Sequence, residues 1–318
     1  MSSPPAKRQR TDNTETSRSD LWKTDGSVIL QAGNMQFRVH WSVLADNSSV
    51  FCDMQGLPQP SDQPTVEGCP IVELSDDPVD VEFLLKALYS PTFLCQEKVP
   101  FPAVAALVRL GRKYEFKNLL DAAVARLTAV FPTTIEEYDL LISKPRYSTL
   151  ELPAPLLFDV IALATENNLW TVLPCAYTDA VKRFKTADFF DGIKDGARTV
   201  LLPLAYLRRC IMFQQSLLAK QYQPGYTIGW LRKWDFEADC TNPGACRTLR
   251  ENFLANHMDK STLVPLVKWE TSERLLTSFC RNCGMHIRDC ITSGRKRMWD
   301  ELPGLLDLPP WGELKNGD

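Results

Sequence analysis

The stretch Asp25-Gly26-Ser27-Val28-Ile29-Leu30-Gln31-Ala32-Gly33-Asn34-Met35-Gln36-Phe37-Arg38-Val39-His40 decides the fold of the first part of the chain. Val28-Ile29-Leu30 is a short apolar run, and Ala32-Gly33-Asn34 supplies turn chemistry. Met35, Phe37 and Val39 then alternate with Gln36 and Arg38, which sets three apolar side chains on one face of a strand. The pattern predicts a β-hairpin. Downstream, Trp41–Asp46 and Ser48–Gln55 read as two short helices, and Ile71–Leu74 as a third strand. Between them Gly56–Pro70, with four prolines and two glycines, reads as a loop. Asp77-Pro78 is a helix cap followed by proline at the first helical position, and Val81, Leu84, Leu85 and Leu88 continue with helical spacing. Helices over 100–114 and 117–131 follow, the second with an amphipathic stripe of Leu120, Ala123, Val124 and Leu127. A small sheet covered by helices is an α+β head.

The residues also carry a resemblance. Asp25 to Leu30, Phe37-Arg38-Val39-His40, Leu44, Ser49 and Phe51 occur in one order and spacing with Phe83-Leu84-Leu85-Lys86-Ala87-Leu88-Tyr89. Leu110-Gly111-Arg112-Lys113-Tyr114-Glu115-Phe116 and Leu119-Leu120 complete the series. Over residues 20–131 this resembles a BTB/POZ domain. The resemblance implies protein–protein interaction: such domains homodimerise, and some recruit a cullin scaffold for ubiquitin ligation or a transcriptional corepressor. In many relatives a basic residue follows the His and forms a charged groove with the early Asp; here Trp41 stands in that place. His40 itself reads as a structural histidine at a strand end, hydrogen-bonded to nearby backbone, because no carboxylate or Cys stands at a recognisable spacing from it. Further on, Ser293-Gly294-Arg295, Trp299-Asp300-Glu301-Leu302-Pro303 and Leu308-Pro309-Pro310-Trp311 resemble the ending of a fungal, basidiomycete-type set of BTB proteins. Ala164-Thr165-Glu166-Asn167-Asn168-Leu169 and Leu173-Pro174 extend that resemblance, which implies no particular biochemical activity.

Working outward on both sides gives four parts. Residues 1–19 hold nothing to bury and read as a disordered basic tail, with order beginning near Leu21-Trp22. In that tail Lys7, Arg8 and Arg10 read either as a nuclear import signal or as solvated charge. Residues 20–131 are the BTB/POZ-like head. Residues 132–221 are a mostly helical extension, with helices over 156–168, 170–184 and 202–221. Residues 222–318 form a Cys/Trp-rich C-terminal unit, set apart by five of the eight Trp, five of the ten Cys and two of the three His. There Arg295-Lys296-Arg297 reads as a solvated face.

Two cysteine pairs stand out in that last unit. Cys240 and Cys246 flank Thr-Asn-Pro-Gly-Ala, a turn-forming loop, and Cys280 and Cys283 flank Arg281-Asn282 with Gly284 following. A C-x2-C turn sets two sulfurs on one side of an ion, and neighbouring Arg247 and Arg281 favour thiolates. One reading is therefore a structural zinc held by Cys240, Cys246, Cys280 and Cys283, with His286 or Cys290 able to replace a ligand. The other is that Cys280 and Cys283, one helical turn apart, are simply buried thiols. Cys52, Cys69, Cys95, Cys175 and Cys210 are scattered and read as ordinary thiols.

Several classes fall away. With 36 Lys plus Arg against 39 Asp plus Glu, the chain is not one whose whole surface grips nucleic acid. The longest apolar runs, such as Leu201–Leu207, are far shorter than the ~20 residues of a membrane span. The first 20 residues lack the apolar core of a secretory signal, so an intracellular place is expected, nucleus or cytoplasm. No G-x-S-x-G elbow, phosphate loop or dinucleotide fingerprint occurs, and nothing pairs His257 or His286 with a particular thiol. The expectation is a non-enzymatic interaction protein that homodimerises through its head and captures a protein partner. Its alternatives are a substrate adaptor of a cullin-type ubiquitin ligase, or a BTB-containing transcriptional regulator reading DNA through its Cys unit.

Overall fold

The computed structural model describes residues 16–57, 64–90, 92–142, 149–233, 237–260, 263–268 and 277–317. The chain divides into two compact units, residues 1–126 and 127–318, where the sequence suggested breaks near 131 and 221.

The first unit is built on the expected hairpin. Strand β2 (Val28–Ala32) pairs antiparallel with β3 (Met35–Val39), Val28 opposite Val39 and Ala32 opposite Met35. Gly33 turns the chain at φ 55°, a conformation that glycine adopts without steric cost. Strand β5 (Cys69–Leu74) lies parallel to β2 on its other side, and β4 (Thr65–Val66) turns back onto β5. Strand β1 (Ser17–Trp22) adds a parallel edge to β3, giving the order β1-β3-β2-β5-β4. Strand β1 thus takes in part of the stretch read as tail: Ser17 pairs with Met35 and Arg18 with Gln36. Backbone pairing accounts for the difference, since an edge strand needs no apolar side chains to join a ladder. Val28, Ile29, Leu30 and Ala32 are all buried, so the central strand is covered on both faces.

Helices cover this sheet. Helix α1 (Trp41–Asn47) and α2 (Ser49–Gln55) follow β3, with Ser48 capping α2 by accepting from the Phe51 N–H at 3.1 Å. Helix α3 (Pro78–Tyr89) starts as expected, Asp77 accepting from Val79 N–H at 2.8 Å with Pro78 next. Arg109 on α4 (Phe101–Lys113) grips Asp80 on α3 through two bonds of 2.8 Å. Phe51 packs on Tyr114 and Phe116, which begin the turn into α5 (Lys117–Val130). Gly111 is needed there, because a Cβ at that position would lie 3.1 Å from the Leu120 Cβ.

The second unit is mainly helical. Helices α6 (Ile135–Ile142), α7 (Leu157–Glu166), α8 (Leu173–Arg183) and α9 (Thr186–Asp191) precede a small hairpin, β6 (Ile193–Asp195) and β7 (Arg198–Val200). Helices α10 (Leu204–Gln221), α11 (Pro243–Lys260) and α12 (Arg281–Glu301) follow among the described residues. Among the described residues after 222, the last two of these helices are the longest elements. On α12, Cys283, Ile287, Ile291, Gly294 and Met298 form the buried stripe. Gly294 lets that helix press on the chain at 226–227, where a Cβ would come 2.6 Å from Thr227 N. Beyond α12, Trp311 stacks on Trp299 at 5.3 Å and donates to the Trp299 carbonyl at 2.8 Å. Among the described residues no helix is long and apolar enough to cross a membrane.

Arg295 overturns part of the solvated-face reading of Arg295-Lys296-Arg297. Lys296 and Arg297 are exposed, but Arg295 is only 9% exposed and forms a forked pair with Asp139 on α6. Its Nε also donates to the Leu266 carbonyl at 2.9 Å. A basic run on a helix spreads around the axis, so consecutive residues need not share a face.

Candidate metal centre

Three separate segments bring the four singled-out cysteines together. Cys240 follows a single 3-10 turn, Glu237–Asp239. Cys246 stands in the first turn of α11, its N–H donating to the Asn242 carbonyl at 3.0 Å. Cys280 is the residue preceding α12, and Cys283 lies in that helix's first turn. The Gly284 N–H donates to the Cys280 carbonyl at 2.8 Å, which closes the turn holding this pair. Asn282 Nδ2 reaches back to the Asp239 carbonyl at 2.7 Å and ties the 3-10 turn to α12.

The four sulfurs all lie within 4.8 Å of one another. The Sγ atoms of Cys240 and Cys280 are 3.8 Å apart, and the Cys280 backbone N–H donates to Cys246 Sγ at 3.4 Å. Cys246 is 1% exposed and Cys283 fully buried, both within an apolar cluster with Ile228, Trp230, Phe279 and Ile287. Trp230 and Phe279 meet edge to face at 6.0 Å in that cluster. Cys240 and Cys280 are half-buried and form the outer side of the group.

The environment splits the thiols. The backbone N–H of Cys283 and the Thr241 hydroxyl hold Cys280 down at about 5, so it is a thiolate at neutral pH. Burial pushes Cys283 and Cys246 up, with the Cys240 and Cys280 sulfurs adding to it, while the Cys280 backbone N–H works against the rise at Cys246. Sulfurs crowded this closely repel one another when ionised, and a central cation reverses that preference. No His or carboxylate joins the group among the described residues. The arrangement is therefore a soft, all-sulfur donor set of the kind that takes tetrahedral thiophilic ions.

The other singled-out residues lie elsewhere. His286 is exposed on α12 and lines an open cleft with Asp239, Asn282, Met285 and Asp289, outside the sulfur group. Cys290 packs against the apolar cluster and is also outside it. His257 lies on α11, its side chain outside the described residues. Cys52 and Cys95 are exposed, and Cys69, Cys175 and Cys210 are buried apart. Lys7, Arg8 and Arg10 lie outside the described residues.

His40 needs a correction. It does have a carboxylate partner: its Nε2 lies 3.1 Å from Asp25 Oδ1, and its Nδ1 lies 3.0 Å from the Tyr89 hydroxyl. The His40 backbone N–H also donates to that hydroxyl at 2.8 Å. The hydrogen bond with His40 comes first among the causes that lower the Asp25 carboxyl. Spacing could not show this, because strand β2 separates Asp25 from β3 and helix α3 delivers Tyr89 from 49 residues away.

No curated protein matches the chain. Residues 23–129 match the family model of the BTB/POZ domain, and the sheet with its covering helices described above occupies that span: this part of the chain is a BTB/POZ domain, a protein–protein interaction module followed by a mostly helical region.

Proposed function

We propose that the chain is a non-enzymatic assembly protein that homodimerises through its BTB/POZ domain and captures a protein partner. The observation that carries this reading is the BTB/POZ match over residues 23–129, folded as a sheet enclosed by helices. Strand β1 supports the dimer, since it leaves a sheet edge with Leu21 and Trp22 only partly buried. Light scattering on the full chain at tens of micromolar tests it. Twice the chain mass of 36.0 kDa is expected, and a monomer mass refutes the dimer.

A narrower form of the same reading is a substrate adaptor of a cullin-type ubiquitin ligase, with a transcriptional regulator as its competitor. Affinity purification of the tagged chain separates them. Recovery of a cullin with its ring-finger subunit selects the adaptor, and recovery of a sequence-specific DNA fragment selects the regulator. The proposed setting is inside the cell, with Lys7, Arg8 and Arg10 as import signal. A reporter fused to residues 1–15 enriches in the nucleus if they serve that purpose, and spreads evenly if they are only solvated charge. The resemblance of the C-terminal segment to fungal BTB proteins supports a second unit that belongs with such a head.

A further inference from the structure

We propose that Cys240, Cys246, Cys280 and Cys283 bind a single structural Zn²⁺ that staples α11 and the 3-10 turn before it to the start of α12. This site is independent of the interaction reading above.

Geometry selects a single ion. Ligands about 2.3 Å from a shared centre at tetrahedral angles stand about 3.8 Å from one another. The Cys240–Cys280 pair has that separation, 3.8 Å, and every other pair falls within 4.8 Å. A two-iron cluster would push its two sulfur pairs farther apart than this, because each pair binds a different iron. Sulfur donors also exclude magnesium and calcium, which take oxygen.

Burial argues against thiols that merely fill a core. Cys246 and Cys283 sit fully inside the apolar cluster, but Cys240 and Cys280 remain half-buried on its outer side. Side chains recruited for apolar burial have no reason to bring two partly wet thiols against two dry ones. A tetrahedral ion does require it, with an inner pair anchored in the core and an outer pair that closes over the ion. The surrounding groups suit thiolates. Cys280 precedes α12 and Cys283 is in its first turn, at the positive end of a 21-residue helix. The Cys280 N–H already points at Cys246 Sγ.

The site is closed. Four protein ligands leave no position for a reactive water, so the ion holds structure and does not catalyse. What it holds follows from the segments. The loop before α11 is tied to α12 by the Asn282–Asp239 bond and the sulfurs, and its other described residues, 238–239 and 241–245, are exposed. The cation's binding free energy then becomes folding free energy for this part of the unit.

Purified full-length protein tests the proposal. Elemental analysis is expected to give about one zinc per chain and negligible iron. Replacing the metal with Co²⁺ is expected to give the strong thiolate-to-cobalt charge-transfer absorption and intense visible bands of a tetrahedral sulfur site. Removing zinc with a chelator is expected to abolish hydrogen-exchange protection in 243–256 and 281–291, and returning zinc to restore it. Cys240→Ser and Cys280→Ser alter the half-buried ligands and are expected to lower zinc content to a small fraction. Cys290→Ser, outside the group, is expected to keep it. Protein that is metal-free yet fully protected in both helices overturns the proposal. So does stoichiometric iron, or zinc that survives both ligand variants, or zinc that disappears with His286→Ala while surviving Cys280→Ser.

Discussion

Asp139→Ala is expected to destabilise the second unit strongly, because it strands a buried guanidinium. Asp139 on α6 accepts from Arg295 Nη1 at 2.8 Å and from Nη2, and Lys268 Nζ lies 3.2 Å from the same carboxylate. Arg295 is 9% exposed, and its Nε–H is committed to the Leu266 carbonyl. Removing one partner of a buried pair costs about 3–5 kcal/mol. The Asp139 side chain is 24% exposed, so water reaches the space it vacates and the expected loss is about 2–3 kcal/mol. For a unit of this size each kcal/mol moves the midpoint by roughly 2–4 °C, so the transition should fall by roughly 4–12 °C. Thermal unfolding of the full chain, followed by tryptophan fluorescence, reads this directly, because Trp299 lies one turn along α12 from Arg295. The double variant Asp139→Ala/Arg295→Met should recover most of the loss, since an apolar pair of similar volume is close to neutral. Lys296→Ala, on the exposed side of α12, should change nothing measurable. A shift below about 1 °C for Asp139→Ala, or a double variant no better than the single one, would refute the reasoning that charge pairing holds Arg295 in place.

Phe37→Asp should unfold the BTB/POZ domain: the ring is fully buried on β3, and its loss alone costs about 3–5 kcal/mol before the carboxylate is counted, so a cooperative melt unchanged within a few degrees would place Phe37 outside the core. Gly294→Ala should cost about 1–3 kcal/mol, because the added Cβ meets the backbone at Thr227, which cannot step aside as a flexible side chain can; urea midpoints of the two proteins check it. Glu301 supplies a pH signature. Burial raises its pKa, but hydrogen bonds from Lys220, Tyr226 and Arg297 overcome that and hold it down at about 2, against an ordinary 4.5. A depressed carboxylate stabilises fully above the unfolded value and loses that contribution as pH falls through the folded one. The stability gap between wild type and Glu301→Gln should therefore be constant above pH 4.5 and shrink between 4.5 and about 2; a gap independent of pH across that window would count against the ion cluster.

The head was legible because its signals are local. The alternation of Met35, Phe37 and Val39, the Gly33 turn and the Asp77-Pro78 cap each act within a few residues, and each produced the expected element. The first residues of strand β1 escape the sequence reading, which sets order near Leu21-Trp22, for a physical reason. Ser17, Arg18 and Asp20 have no apolar face to show, and the strand exists because β3 offers an open ladder to pair with. Helix α12 was hidden differently. Its surface is so rich in Arg, Lys and Asp that the stripe of Cys283, Ile287, Ile291 and Met298 is sparse, one apolar residue per turn. Counting that stripe at steps of three and four would have found it, since a helix seated on one face needs no more.

The sulfur group shows where reading by spacing stops. The interval of two between Cys280 and Cys283 is local information, and it correctly sets those two sulfurs on one turn. The interval of five between Cys240 and Cys246 is too long for a compact knuckle, and by itself it argues against convergence. What makes it suffice is a division of labour that no interval records. Cys246 is carried by the first turn of α11 into the apolar cluster, while Cys240 stays on the loop, free to fold over from outside. The intervening Asn242-Pro243-Gly244 starts the helix and lets the chain reverse, so the five residues span a corner and not a straight gap. The same corner explains why His286 and Cys290 lie outside the group. On α12 they are three and seven residues beyond Cys283, and a helix that climbs about 1.5 Å per residue lifts Cys290 roughly 10 Å along its axis, away from the turn where Cys240 can reach. His286 is closer along the axis but is exposed and lines the open cleft beside Asp239 and Asn282, outside the sulfur group. Convergence in this unit is thus set by which side chains the corner and the first turn of α12 can present together, and among the described residues those are the four sulfurs.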